Sequence, residues 1–113
     1  MTKQVKLNSG KYRHKVVFQK LVESQDSYGQ EDNIWVDDFE ARVGIFPLTS
    51  KEYFDAQTLS NTVTHKVLLR YRTGVTSDMR LIFNGRIFNI IGVPINFQER
   101  NVELLLMCKE IVI

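Results

Sequence analysis

Residues 78–92 read DMRLIFNGRIFNIIG, and this stretch decides the fold. Two runs rich in apolar and basic residues, 79–83 and 86–91, flank the pair Asn84 and Gly85. A type I′ turn needs positive φ at both central residues, and Asn-Gly accommodates such angles better than other pairs. The stretch therefore predicts two antiparallel strands joined by a tight turn, with Gly92 and Pro94 breaking the pattern after them.

Alternating apolar and polar residues on both sides of this hairpin predict further strands. These strands are expected at residues 14–22, 34–46, 65–72 and 102–110. Their predicted inward residues are Val16, Phe18, Phe39, Ala41, Val43, Ile45, Val67, Leu69, Tyr71, Leu104, Leu106 and Cys108. Asp37 and Asp38 interrupt the alternation of the second of these segments, which indicates a bulge or bend. About six strands make an all-β domain, either a barrel or a sandwich.

Length and composition are those of one globular domain. The chain has 113 residues, of which 43% are hydrophobic and 25% charged, with a formal net charge of +2. Residues 1–11 are polar and basic and are expected to form a flexible arm, followed by a single domain over residues 12–113. The near balance of charge argues against sequence-independent phosphate binding as the main activity, because such binding needs clustered Lys and Arg.

The single cysteine and the lack of long apolar runs indicate the compartment. Cys108 lies in the run VELLLMCKE and is expected to be a small buried hydrophobe. One cysteine excludes an intrachain disulfide, which fits a reducing compartment. No run reaches membrane-spanning length and the start lacks a signal-peptide core, so we expect a soluble chain made in a cytoplasm, with no membrane partner.

One capped insert stands apart from the strands. Residues 47–64 read PLTSKEYFDAQTLSNTVT, and Thr49 followed by Glu52 has the spacing of a capping box. The pattern predicts one short helix inside a long inter-strand loop. Structureless connections of this length are uncommon in compact domains, so the insert is the first place to look for function.

Catalytic and metal sites are not predicted. His14 and His65 lie far apart in sequence, and one cysteine cannot complete a zinc site. The acidic residues between Asp26 and Asp38 lack the oxygen-ligand pattern and fixed glycine of a calcium loop. No nucleophile motif and no phosphate-binding glycine loop is present. We therefore expect no enzyme activity, no cofactor and no metal.

The late strands are apolar on both faces, since Leu105 and Met107 alternate with Leu104 and Leu106. A small barrel has only one interior, so the second apolar face must meet the insert, the arm or another subunit.

An alternative function comes from the basic residues that flank Tyr71. With Arg80 and Arg86 they can form a stacking and phosphate-binding surface for single-stranded nucleic acid, although ordinary exposed strand faces alternate in the same way.

Several blocks together resemble the head-to-tail stopper, or head-tail joining, family of long-tailed bacteriophages of Gram-positive hosts. The blocks are GKYRHKVVFQ at residues 10–19, WVDDF at 35–39, PLTSKEYFDAQTL at 47–59 and DMRLIFNGRIFNIIG at 78–92. Their order and spacing also match, and the resemblance covers nearly the whole chain. The resemblance implies a small antiparallel β-barrel and a non-enzymatic ring component of the virion neck, synthesised in the host cytoplasm.

The resemblance also implies partners and a gate. The ring sits beneath the portal and its head adaptor, offers the docking surface for the tail completion or terminator protein, and closes the DNA channel with the insert. The packaged double-stranded DNA is held without sequence-specific binding, and the free chain is expected to be largely monomeric. The gate residues expected from this are Thr49, Ser50, Glu52, Tyr53, Phe54, Gln57, Leu59 and Asn61. The expected ring-interface or docking residues are Arg70, Arg72, Leu105 and Met107.

The insert keeps the pattern of the family over SKEYFDAQ at residues 50–57 and differs after Leu59, where it reads SNTVTH. A neck component of similar fold but different ring position, either an adaptor or a tail terminator, is a further alternative.

Overall fold

The computed structural model describes residues 10–25, 31–49, 51 and 63–112. Six strands account for most of them. Their bounds are β1 His14–Gln25, β2 Glu31–Pro47, β3 His65–Arg70, β4 Arg80–Phe83, β5 Arg86–Asn96 and β6 Glu103–Ile111. A 3-10 turn at Phe97–Glu99, which the sequence pattern did not predict, connects β5 to β6. The short helix expected in residues 47–64 lies outside the described residues.

The strands close into a barrel in the order β1-β2-β3-β6-β5-β4, and every neighbouring pair is antiparallel. The predicted antiparallel barrel is therefore confirmed. Because neighbours run in opposite directions, the C-terminal ends of β1, β3 and β5 share one end of the barrel with the N-terminal ends of β2, β4 and β6. We call this the ribbon end. The opposite end, where β2 ends at Pro47, β3 begins at His65 and the β4–β5 turn lies, is the insert end.

The core contains most of the side chains that alternation predicted, together with Leu81 and Phe88 of the hairpin. Its fully buried members are Val16, Phe18, Val43, Val67, Leu69, Leu81, Phe88, Leu106 and Cys108. The Phe18 ring stacks on the Phe39 ring with 4.6 Å between centroids. Among the described residues no polar or charged side chain is buried, so apolar burial accounts for the interior.

The turn and the bulge form where the sequence places them. Asn84 and Gly85 both have positive φ, 51° and 78°, as a type I′ turn requires. Phe18 pairs with Phe39 and Gln19 pairs with Asp37, so Asp38 is the extra residue of a β-bulge. The bulge keeps Phe39 pointing into the barrel while the strand beyond it changes direction.

Two strand ends differ from prediction. β5 does not stop at Gly92, because a bulge between Ile91 and Ile95 accommodates Pro94 without a ladder hydrogen bond, and the strand resumes its pairing with β6. The strand expected over residues 65–72 ends at Arg70. The N–H of Tyr71 donates to the carbonyl oxygen of Val102, just before β6, but Tyr71 is 36% exposed and does not enter the core as expected.

Beyond the bulge, β1 and β2 leave the barrel together. β1 pairs with β4 only through residues 17–19, whereas its pairing with β2 continues to Gln25. β2 pairs with β3 only from Val43 onward. Residues 20–25 and 31–36 therefore form a two-stranded extension, which we call the ribbon.

The segment before β1 crosses the outside of β2. A Cβ atom added at Gly44 would lie only 2.6 Å from the backbone oxygen of Lys11 and 2.8 Å from Cε2 of Phe46. Real Cβ contacts are never this short, so the crossing requires glycine at this position. The close approach holds residues 10–13 against the barrel wall.

Candidate assembly surfaces

The insert leaves the barrel from an anchored base. The backbone N–H of Leu48 donates to the carbonyl oxygen of Thr64 at 3.1 Å, and the N–H of Thr64 donates to the carbonyl of Cys108 at 2.9 Å. The N–H of Glu110 donates to the Thr64 hydroxyl oxygen at 2.9 Å, and Val63 is buried. The two stems of the insert are thus tied to each other, and the second is tied to β6 through Thr64.

A charged cluster flanks this base. Arg86 donates two hydrogen bonds to the carboxylate of Glu110, at 2.8 and 3.0 Å. These bonds lower the pKa of Glu110. Nε2 of His65 lies 3.9 Å from the same carboxylate, and Nδ1 lies 2.9 Å from the Thr64 hydroxyl. Burial lowers the pKa of His65, the Glu110 carboxylate opposes that effect, and Arg86 adds to it. At neutral pH the imidazole is therefore neutral, and the cluster serves to hold the stem.

The expected gate residues fall almost entirely outside the described part of the chain. Thr49 is described and exposed at the start of the insert. The others, Ser50, Glu52, Tyr53, Phe54, Gln57, Leu59 and Asn61, lie outside the described residues.

The second apolar face of the late strands is an open groove. Leu105 has Leu68 of β3 on one side and Ile95 of β5 on the other. Phe97 of the 3-10 turn closes the far edge, and Ile95 and Phe97 remain 48% and 46% exposed. The cavity measures about 380 Å³ and is lined by Lys66, Leu68, Ile95, Phe97, Gln98, Glu103 and Leu105. We call it the groove. Apolar depressions of this kind mark interaction sites.

The groove is bounded by a polar cluster that ties the N-terminal segment to the barrel. The Tyr12 hydroxyl donates to Glu103 at 2.6 Å, and Nζ of Lys11 lies 2.8 Å from the same carboxylate. The guanidinium of Arg70 lies over the Tyr12 ring, 5.2 Å from its centroid. Burial and the Glu103 hydrogen bond raise the pKa of Tyr12 to about 12. Burial opposes ionisation of Glu103, but hydrogen bonds from Lys11 and Tyr12 outweigh it and lower the pKa of Glu103.

The structure brings together three of the four expected docking residues. Arg70, Leu105 and Met107 lie on the outer surface of adjacent strands, because Arg70 pairs with Glu103 and Lys66 pairs with Met107. Arg72 is elsewhere. Since β3 ends at Arg70, the chain turns away and the Arg72 guanidinium lies 3.6 Å from the centroid of the Phe39 ring.

The basic residues suggested for nucleic-acid binding have partners within the chain. Arg80 lies 4.2 Å from the Trp35 ring centroid and donates to Gln19, while Arg86 is held by Glu110. Arg70 and Arg72 lie over Tyr12 and Phe39, as described above. Each arginine thus packs against a different part of the barrel, and the described residues form no shared stacking surface around Tyr71.

Sequence reasoning missed Tyr12, Leu68, Ile95 and Phe97 as surface-forming residues. A signal was present in the segment VPINF at 93–97, where apolar residues alternate after Gly92. Treating Gly92 and Pro94 as a strand end concealed that alternation. The Tyr12 contact joins residues 91 positions apart, and no local pattern reports such a pair.

The described residues form neither a metal site nor a membrane-spanning helix. No group of three or more His, Cys, Asp or Glu side chains in the described ranges is placed to hold a metal ion. Over the same ranges, no helix is both long enough and apolar enough to span a bilayer. Cys108 is buried, as predicted, and burial raises its pKa to about 12, which keeps the thiol protonated and unreactive.

A family model described as phage head completion protein matches residues 7–111. The chain belongs to that family. It is therefore a component of the phage head–tail connector and not an enzyme, as the sequence resemblance predicted.

Individual proteins are similar to this chain in sequence or in fold. Head completion protein gp16 of Bacillus phage SPP1 is 31% identical over 81 residues, covering 72% of this chain and 74% of gp16. The solution structure of protein SF1141 from Shigella flexneri 2a superposes with a TM-score of 0.78 at 25% identity, covering 91% of this chain and 96% of SF1141. A chain in the virion of a native gene transfer agent superposes with a TM-score of 0.63 at 16% identity, covering 89% and 96%, and shares the fold.

Proposed function

We propose that this protein is the stopper of the connector, a ring whose inserts close the DNA channel beneath the portal and its adaptor. The ring also presents the surface on which the tail completion or terminator protein docks. In this proposal the barrel is a fixed scaffold, the insert is the gate and the outer surfaces make the protein contacts.

The observation that carries the proposal is the anchored base of the insert. One backbone hydrogen bond, between Leu48 and Thr64, joins the two stems where the insert leaves and re-enters the barrel. The backbone N–H and the hydroxyl oxygen of Thr64 are also hydrogen-bonded to β6. A gate needs a fixed attachment, because its free end must change position without loosening the subunit. The insert therefore can respond to pressure or to a partner while the barrel keeps its shape.

Charge also supports a channel that DNA can pass. The formal net charge is only +2, and four arginines of the described surface lie against aromatic or acidic neighbours. Tight phosphate binding would need clustered basic groups and would hold the DNA during ejection. A nearly neutral lining lets the genome slide once the gate opens.

The test is removal of the insert tip. A chain that lacks residues 50–60, rejoined through a short glycine linker, retains Leu48, Val63 and Thr64 and should keep a cooperative thermal transition. Particles assembled with it should lose packaged DNA or fail to join tails. A matched control replaces Val112, which is 87% exposed near the C-terminus, with serine and should give normal particles. DNA-filled, tailed particles from the deletion would contradict the gate.

A further inference from the structure

We propose that residues 1–9 of this chain fold back across the groove and cover it with Val5 and Leu7 while the chain is free. Residues 1–9 lie outside the described residues, which begin at Gly10. The inference concerns the isolated chain and goes beyond the proposed function, so either can fail without the other.

The far edge of the groove is held by a strained turn. Phe97 forms that edge and stays 46% exposed beside Ile95. The residues that follow have positive φ, at 54° for Gln98, 55° for Glu99 and 56° for Asn101. Residues other than glycine adopt such angles at an energetic cost, and they cluster at sites that bind or switch. The described part of the chain keeps this apolar surface in shape and leaves it uncovered.

The N-terminal segment crosses the row of residues that forms the groove. Gly44 of β2 pairs with Leu68 of β3. Leu68 in turn pairs with Leu105 of β6, and Leu105 pairs with Ile95 of β5. These four positions therefore form one row across the outer face of the barrel. The backbone oxygen of Lys11 passes over Gly44, so the segment lies on the first member of the row that continues into the groove.

Two side chains attach the segment to the groove itself. Nζ of Lys11 lies 2.8 Å from Glu103, and the Tyr12 hydroxyl donates to the same carboxylate at 2.6 Å. Glu103 also lines the groove. A segment attached at the edge of a site has an effective concentration there on the order of millimolar. Residues 1–9 therefore have an advantage over a second copy or another protein, which must bind from solution.

The length and the pattern of residues 1–9 suit this site. Three strand spacings separate Gly44 from Ile95, which is roughly 14 Å, whereas an extended segment of this length spans up to about 30 Å. The sequence MTKQVKLNS places Val5 and Leu7 two positions apart, so they share one face of an extended segment. Two neighbouring apolar side chains match an apolar cavity of about 380 Å³.

Nuclear magnetic resonance of the isolated full-length chain, with labelled methyl groups, tests the proposal. Nuclear Overhauser contacts are expected from the methyl groups of Val5 and Leu7 to those of Ile95 and Leu105, and they should persist on dilution. Absence of these contacts, contacts with a different surface, or contacts seen only between differently labelled copies in a mixed sample would overturn the proposal.

Two matched double variants give a second readout. Val5→Ser with Leu7→Ser should shift the methyl resonance of Ile95 at least fivefold more than Gln4→Ser with Lys6→Ser. The second pair alters the opposite face of the same segment and serves as the control. Equal shifts at Ile95 in the two variants would contradict the contact.

Cysteine pairing gives a third readout. Under mild oxidation, Val5→Cys with Ile95→Cys should form a disulfide within one chain at least fivefold faster than Val5→Cys with Leu21→Cys. The Leu21 position is similarly exposed, at 43% against 48%, but lies on the ribbon. The natural Cys108 is buried with a raised pKa and does not compete. Equal rates, or a bond that joins two copies, would count against the proposal.

These outcomes are separate from those of the proposed function. The three experiments use the free chain, so a negative result leaves the stopper proposal standing. The stopper proposal is tested in particles, and its failure there would leave the contact of residues 1–9 with the groove standing.

Discussion

The two halves of β1 lie on one strand but in different surroundings. Residues 14–19 run between β2 and β4 and bury Val16 and Phe18 completely in the core. Residues 20–25 have β2 as their only strand partner in the described structure and leave apolar side chains in contact with solvent. The bulge at Asp38 separates the halves. The first half of the strand therefore belongs to the core, and the second half projects beyond it.

The largest contrast is expected from truncating one side chain in each half. Phe18→Ala should lower the free energy of unfolding by about 3–5 kcal/mol, because it removes a buried ring and leaves a cavity. Val22→Ala, in the ribbon, should lower it by less than about 1 kcal/mol. Urea denaturation of the isolated chain measures both. Similar losses would mean that the ribbon stabilises the barrel and that the two halves are not functionally distinct.

A smaller effect is expected where the N-terminal segment crosses the barrel. Gly44→Ala should cost about 1–3 kcal/mol of stability, because the new methyl group collides with backbone and ring atoms. Gly10→Ala is the matched control, since its added Cβ would meet only the Arg13 side chain at 3.6 Å and should change stability by less than about 0.5 kcal/mol. Thermal denaturation compares the two, and equal effects would show that residues 10–13 do not pack on β2.

The polar cluster beside the groove should make stability depend on pH. The pKa of Glu103 is lower in the folded chain than in the unfolded chain, so its contribution is present above the unfolded value and is lost as pH falls through the folded value. Glu103→Gln should remove about 1–2 kcal/mol at neutral pH and flatten the fall in stability below about pH 5. Urea midpoints across a pH series measure this.

The control for that series is Glu40→Gln, which removes an exposed ion pair and should change stability by less than about 0.5 kcal/mol. If Glu103→Gln and the unaltered chain lose stability in parallel between about pH 5 and pH 3, then Glu103 does not hold the N-terminal segment in the way described.

The smallest effect is expected in the exposed part of the ribbon. Ile34→Ser should change the free energy of unfolding of the isolated chain by less than about 1 kcal/mol, since the side chain is 45% exposed. Leu21→Ser should behave in the same way. Urea denaturation measures both variants, and a loss above about 2 kcal/mol in either would show that the ribbon contributes to the core.

Local patterns predicted most of this fold. The Asn84-Gly85 turn, the bulge at Asp38 and the inward-facing residues all depend on neighbours in sequence, and all were predicted correctly except Tyr71, which is exposed. Alternation alone could not distinguish a barrel from a sandwich, because both architectures bury one face of each strand. The family resemblance favoured the barrel, and the strand pairing confirms it.

The surfaces were predicted less completely, because they depend on contacts between distant residues. The second apolar face at Leu105 and Met107 was visible in the sequence, but its neighbours Leu68, Ile95 and Phe97 became clear only once the strands were aligned. Arg72 was misplaced because the end of β3 is set by its pairing partner and not by its own pattern. The clamp of Tyr12 and Lys11 on Glu103 has no local signature.

Electron cryo-microscopy of the neck in DNA-filled, tailed particles tests most directly the claim that the barrel is a scaffold and the insert is its gate. The account predicts a ring of this chain in which residues 50–62 project from the base at Leu48 and Thr64 and close the channel below the DNA end. A ring with an open channel, in which these residues pack on the outside of the barrel, would contradict it.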